Sequence, residues 1–284
     1  MSVGAGSPAS RGSQYTLVVP PGRLAFPRLR ELWEGREVLY RFGLRDVVLR
    51  YRQTAIGVAW VLIQPLAAAG IFALIFGQVA KLSSQGVPYF AFTYVGMLAW
   101  NLFSGVVTRS APSLVGNLQL VSKVFFPRML VPLSTVLAVL LDFVVAMMLA
   151  VVLLIIYRIN PGWPVLLVPL WVLLVVMVAT GIGLVASALM VRYRDIGYFL
   201  PWAMQILLYA SPVAYSVAEV PSRLQLLFSL NPITWFLEEF RYSLLAQPAP
   251  QGWHVVASIA LAVVVLFGGA VVFQSWEREF ADII

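Results

Sequence analysis

Cysteine is absent from the 284-residue chain, which excludes disulfides, thiolate metal sites and cysteine nucleophiles together and leaves the redox compartment open. Charge is scarce too. Only 11% of residues are Asp, Glu, Lys or Arg, against roughly a quarter in soluble domains, while 61% are hydrophobic and the mean hydropathy is +0.89. The composition is that of an integral membrane protein. Lysine occurs only at Lys81 and Lys123, and neither follows glycine in a G-x-x-x-x-G-K-[ST] loop, so there is no P-loop cradle for ATP. If ATP drives this chain, a partner supplies the site. The sole histidine, His254, falls at the outer end of the last span, and no carboxylate or serine accompanies it at a spacing suited to hydrolysis or group transfer. An intramembrane enzyme is therefore disfavoured, and Glu238-Glu239, the only adjacent acids, read as a solvated outer face. The net charge of +7 is scattered between apolar spans rather than gathered on one domain, so it is not a nucleic-acid footprint.

What the chain does contain is a succession of long uncharged runs. Residues 1–28, rich in Gly, Ser, Pro and Arg, have no apolar stretch long enough for a signal peptide and read as a disordered cytoplasmic tail. Over 29–52, Trp33, Tyr40, Leu44, Val47 and Tyr51 recur at helical spacing beside Glu34, Arg41, Arg45 and Arg52, the pattern of an amphipathic helix lying along the headgroup boundary. That helix feeds directly into the first of six expected crossings, at about 53–80, 87–108, 129–157, 164–191, 196–217 and 253–273. Pro112 and Pro127 bracket a structured loop between the second and third, and 219–242 carries too many charges for a crossing and too many apolar residues for a free loop. Two short helices dipping into the outer leaflet are expected there, the second starting at Asn231-Pro232. Most of the 19 Lys and Arg fall on one side of the alternating loops, which puts both termini in the cytoplasm and leaves 274–284 as a C-terminal tail. The fold class is thus an all-α integral membrane protein: six transmembrane helices, an N-terminal amphipathic interface helix, and short re-entrant helices between helices five and six.

Two features inside the spans bear on chemistry. Asp142 is the one acid well within a crossing, where an unpaired charge costs several kcal/mol. A hydrogen bond to Gln64 or Gln205 that fixes helix packing is the expected role, and proton coupling the alternative. Aromatic rings recur on two helices, Trp60, Phe72 and Phe76 on the first and Phe199, Trp202 and Tyr209 on the fifth. Sugars present apolar CH faces that stack on such rings, so these six are candidates for a substrate pathway, although rings in spans also serve as packing and interface anchors.

The run Tyr51-Arg52-Gln53-Thr54-Ala55-Ile56-Gly57-Val58-Ala59-Trp60, followed by Gln64-Pro65-Leu66, resembles the first-helix signature of ABC-2 type permeases that export polysaccharides and polyol phosphates, the O-antigen, capsule and teichoic-acid exporters. Phe126-Pro127-Arg128, Val131-Pro132-Leu133, Arg194-Asp195-Ile196, Ser211-Pro212-Val213 with Tyr215, and Asn231-Pro232-Ile233 resemble later landmarks of that family in the same order, over about 30–280. The resemblance implies a permease half of 53–273 that forms a homodimer and pairs with two ATP-binding cassette subunits, which hold the ATP and Mg while this chain carries no cofactor. It implies an interface helix over about 32–50 and a coupling helix over 113–126 that docks on the ATPase, with Asn117, Gln119, Lys123 and Phe125 as candidate contacts. It also implies a lipid-linked polysaccharide whose pyrophosphate Arg192 and Arg194 could meet, crossing a bacterial plasma membrane. Rivals are an ABC-2 exporter of a drug or small lipid and a proton-coupled secondary transporter using Asp142.

Overall fold

The computed structural model describes residues 28–52, 57, 59–119 and 126–277. Residues 1–27 of the tail expected over 1–28, residues 53–56 and 58 at the head of the first span, Lys123 and Phe125 of the loop expected to dock a partner, and 278–284 lie outside the described residues.

Residues 91–100 are all buried, and they belong to the helix about which the others are arranged. This is α4 (Tyr89–Ser110). Before it come α1 (Leu29–Glu34), α2 (Arg36–Tyr51) and α3 (Ala59–Phe72), the last running on as a π-helical segment, Ala73–Val79. After it come α5 (Ser113–Gly116), α6 (Leu130–Ile156), a 3-10 turn Trp163–Leu167 leading into α7 (Val168–Arg192), and α8 (Ile196–Tyr209). A 3-10 turn Val217–Glu219, α9 (Ser222–Ser229), α10 (Pro232–Leu245) and α11 (Gly252–Trp276) complete the chain. Helix α4 packs against α3, α6, α7 and α10. Its polar atoms are satisfied as burial demands: Tyr94 donates its hydroxyl to the Ala146 carbonyl of α6 at 2.8 Å. On the far side of the bundle Trp171 Nε1 donates to Ser243 Oγ at 2.7 Å, tying α7 to α10.

Small residues set the closest helix contacts. Gly181 of α7 and Gly269 of α11 meet backbone to backbone: a Cβ on Gly269 would lie 2.2 Å from the Gly181 carbonyl oxygen, and one on Gly181 the same distance from that of Val265. Gly43 does a similar service for α2, where an added Cβ would fall 2.5 Å from Leu137 Cδ1 of α6. The contact of α2 with the bundle is thus made through Gly43 and Phe42, which meets Phe126 edge-on at 5.4 Å, while Trp33, Tyr40 and Leu44 of the expected apolar stripe remain exposed.

The span count differs from expectation. Among the described residues five helices are long and apolar enough to cross a membrane, and the expected crossing over 196–217 is realised as α8, which stops at Tyr209. Fourteen residues reach about 21 Å, short of the ~30 Å hydrocarbon core. The reason is local. After Ala210 the Ser211-Pro212 pair turns the chain, and Ser211 and Val213 are buried instead of continuing the helix. The second short helix does begin where the sequence placed it, with the Asn231 side chain accepting a bond from the Ile233 amide at 3.0 Å and Pro232 at the first helical position. Helix α10 is a core element, however, with Phe236, Leu237, Phe240 and Leu244 all buried.

Candidate functional site

Asp142 lies midway along α6, and three donors from two other helices converge on it. Arg50 Nη1 of α2 reaches its Oδ2 at 2.5 Å, Arg109 Nη2 of α4 reaches the same oxygen at 2.6 Å, and the Tyr51 hydroxyl donates to Oδ1. The expected partners are therefore corrected: neither Gln64 nor Gln205 bonds this carboxylate, although Gln64 lines the adjoining cavity. Both glutamines lie within apolar helices, whereas the donors stand at helix ends, where long arginine side chains reach inward. The phenol of Tyr51 is pushed up to about 12, chiefly by burial and then by its bond to the carboxylate.

About a turn nearer its own N-terminus, α2 is also tied to the segment after α5. Arg45 Nη2 donates to Asn117 Oδ1 at 2.8 Å and to Asp46 Oδ1 at 3.0 Å, while Asn117 Nδ2 donates to the Ser113 carbonyl at 2.8 Å. The expected helix over 113–126 is described only as the single turn of α5 and the residues up to 119, of which Gln119 is exposed. Arg128, just past that loop, donates from its backbone amide to Glu277 Oε1 and from Nη1 to the Glu277 carbonyl, both at 3.0 Å. Burial raises the Glu277 carboxyl, opposed by the Arg128 amide and guanidinium. The segments flanking the loop are thus fastened to α2 on one side and to the end of α11 on the other.

The aromatic candidates divide into two groups. Phe72, Phe76, Tyr215 and Phe228 form a chain of rings with centroids 6.0 to 6.2 Å apart, linking the end of the first span to α9. Phe199 and Trp202 make a separate pair at 5.8 Å on α8, and both are exposed, as are Tyr209 and Trp60. Arg192 and Arg194 stand exposed at the turn between α7 and α8, with the Arg192 guanidinium 5.5 Å over the ring of Tyr193.

A further polar cluster escaped the sequence. The acids Glu238-Glu239, expected on a solvated face, are drawn against α11: Glu239 is 0% exposed and accepts from Ser258 Oγ at 2.7 Å, and Glu238 Oε2 lies 3.0 Å from His254 Nδ1. Burial raises both carboxyls, that of Glu239 to about 8. Arg241 completes the group, donating to the Val213 carbonyl at 2.7 Å and lying 3.7 Å over the ring of Phe92; burial lowers its pKa from the usual arginine range. The only signal for this burial in the sequence is the aromatic density around the acids, Trp235, Phe236 and Phe240.

Apolar helices of crossing length around a buried hub, with paired charges held between them, make this a multi-pass membrane protein. The family model described as ABC-2 type transporter matches residues 39–245, and the chain belongs to that family. Among its relatives, the O-antigen export system permease protein RfbA of Myxococcus xanthus is 28% identical over 90% of this chain and 98% of its own length. The protein of the same name from Klebsiella pneumoniae is 25% identical over 84% of this chain and 92% of its own, and the polysialic acid transport protein KpsM of Escherichia coli is 22% identical over 83% and 92%.

Proposed function

We propose that this chain is the membrane subunit of an ABC exporter that moves a lipid-linked polysaccharide across the bacterial plasma membrane, working as a homodimer with two copies of a separate ATPase. The observation that carries the reading is the near-complete overlap with the O-antigen export permease of Myxococcus xanthus, in a chain with no P-loop of its own. Both termini lie in the cytoplasm, as the Lys/Arg distribution favours. The ATPases dock on the loop over 113–126, through Asn117, Gln119, Lys123 and Phe125.

The fastening of that loop supports this role. Nucleotide-driven closure pulling on the loop acts on α2 through Arg45 and Asn117, and α2 passes the displacement to α4 and α6 through the Asp142 cluster. Coupling of this kind needs contacts with two arrangements, and ion pairs that join separate helices are such contacts. The rings at Trp60, Phe199, Trp202 and Tyr209, exposed on the single chain, provide a wall on which a glycan can stack once two copies face one another. The proton-coupled alternative is less well supported, because Asp142 is occupied by three donors. Deleting the gene should remove polysaccharide from the cell surface and leave lipid-linked glycan accumulating inside; undiminished surface polysaccharide in the deletion strain would end the proposal.

A further inference from the structure

The Asp142 cluster has more positive charge than its own pairing uses. Two guanidiniums face one carboxylate, and Asp142 takes a single bond from each, although each fork offers five donors. Arg109 Nη1 is buried without any hydrogen-bond partner. The other carboxylate on these cavity walls, Asp46, is bonded to Arg45. Leaving a charged donor unsatisfied in a protein interior is costly, and such an atom calls for a ligand.

Two cavities meet at these arginines. One of about 390 Å³ runs between α3, α4 and α6, and another of about 420 Å³ opens between the ends of α2, α4 and α5; Arg50, Thr108 and Arg109 belong to the walls of both. Either is far larger than the ~15 Å³ that a single buried water needs. The first cavity is two-sided in character. Asn101, Ser104 and Thr108 stand with the arginines, and apolar surface follows from Val61, Leu98, Leu102, Phe143 and Ala146. Pro65 within α3 also lines this wall.

We infer that these joined cavities form an anion site for a diphosphate headgroup, held by Arg50 and Arg109, with the apolar wall of the first cavity taking the start of its hydrocarbon chain. The inference rests on the export of a lipid-linked substrate and places that substrate's charged group here rather than at Arg192 and Arg194. Guanidinium forks match phosphate oxygens in pairs, and a second anion neutralises the surplus charge that Asp142 leaves. The apolar continuation favours a lipid over a soluble diphosphate.

The test uses the full chain in phosphatidylcholine nanodiscs, titrated calorimetrically with farnesyl diphosphate, farnesol and inorganic pyrophosphate. Farnesyl diphosphate should bind at least tenfold tighter than farnesol. Arg109→Gln should weaken it at least tenfold while keeping the helix content and elution volume of the wild type, and Arg158→Gln, an exposed residue remote from the cavities, should leave it unchanged. Where Arg109→Gln does not fold, Arg50→Gln provides the same comparison. Equal affinity for inorganic pyrophosphate would keep the anion site and assign it to a soluble ligand. Absence of binding by either diphosphate, or binding indifferent to both arginine substitutions, would overturn it. A chain that binds farnesyl diphosphate in a strain whose surface glycan does not depend on it would break the export reading and leave the site standing.

Discussion

At Glu239 a carboxyl is held out of water with a single donor, the Ser258 hydroxyl, at one oxygen and none at the other. Burial raises its pKa from 4.5 to about 8, with Glu238 adding to the shift and Ser258 opposing it. A folded-state value above the unfolded one means that stability is fully present below pH 4.5 and is lost as the pH rises through about 8. The loss is of the order of a few kcal/mol. The wild type should therefore unfold at progressively lower temperature between pH 5 and pH 9, and Glu239→Gln should flatten that dependence, leaving what Glu238 and Arg241 contribute. Parallel melting curves for the two proteins across this range would refute the assignment. The case also marks where single residues are legible. Asp142 stood out in the sequence because an acid inside an apolar run has no cheap explanation, yet its partners did not, since Arg50 and Arg109 read as orientation charges at span ends. Glu238 and Glu239 were misplaced for the opposite reason: adjacent acids outside a span default to solvent, and only the packing of α10 on α11 buries them.

Helices α7 and α11 cross at a separation that only glycine allows. Gly181→Ala or Gly269→Ala would set a methyl group 2.2 Å from a backbone oxygen, which no side-chain rotation relieves. Each should destabilise the protein by about 1–3 kcal/mol or more, read as earlier loss of the monodisperse peak on heating in detergent. Gly268→Ala, next in sequence with nothing within 4 Å of its Cβ position, should behave as wild type. Equal behaviour of Gly268→Ala and Gly269→Ala would show that the crossing is looser than it is drawn. At this scale the sequence was informative where long apolar runs had clear punctuation. The third span, expected over 129–157, is α6, and the Asn231-Pro232 start of α10 has the cap its residue types specify. It was misleading at α8, because apolar residues continue past the helix end and hide the break that Ser211-Pro212 makes.

Taken whole, the chain is a member of the ABC-2 type transporter family whose sequence carries no P-loop. Among the described residues Asp142, Glu238 and Glu239 are each bonded to a neighbouring helix. Purified alone, the chain should neither bind nor hydrolyse ATP, and turnover above the background of a mock purification would contradict this. The shortness of α8 matters most at this scale. A helix that runs out after fourteen residues falls about 9 Å short of the ~30 Å hydrocarbon core, and the chain beyond it turns into the protein, where Ser211, Val213 and Ala214 are buried. The exposed side of this short helix is the one that displays Tyr198, Phe199, Trp202 and Tyr209.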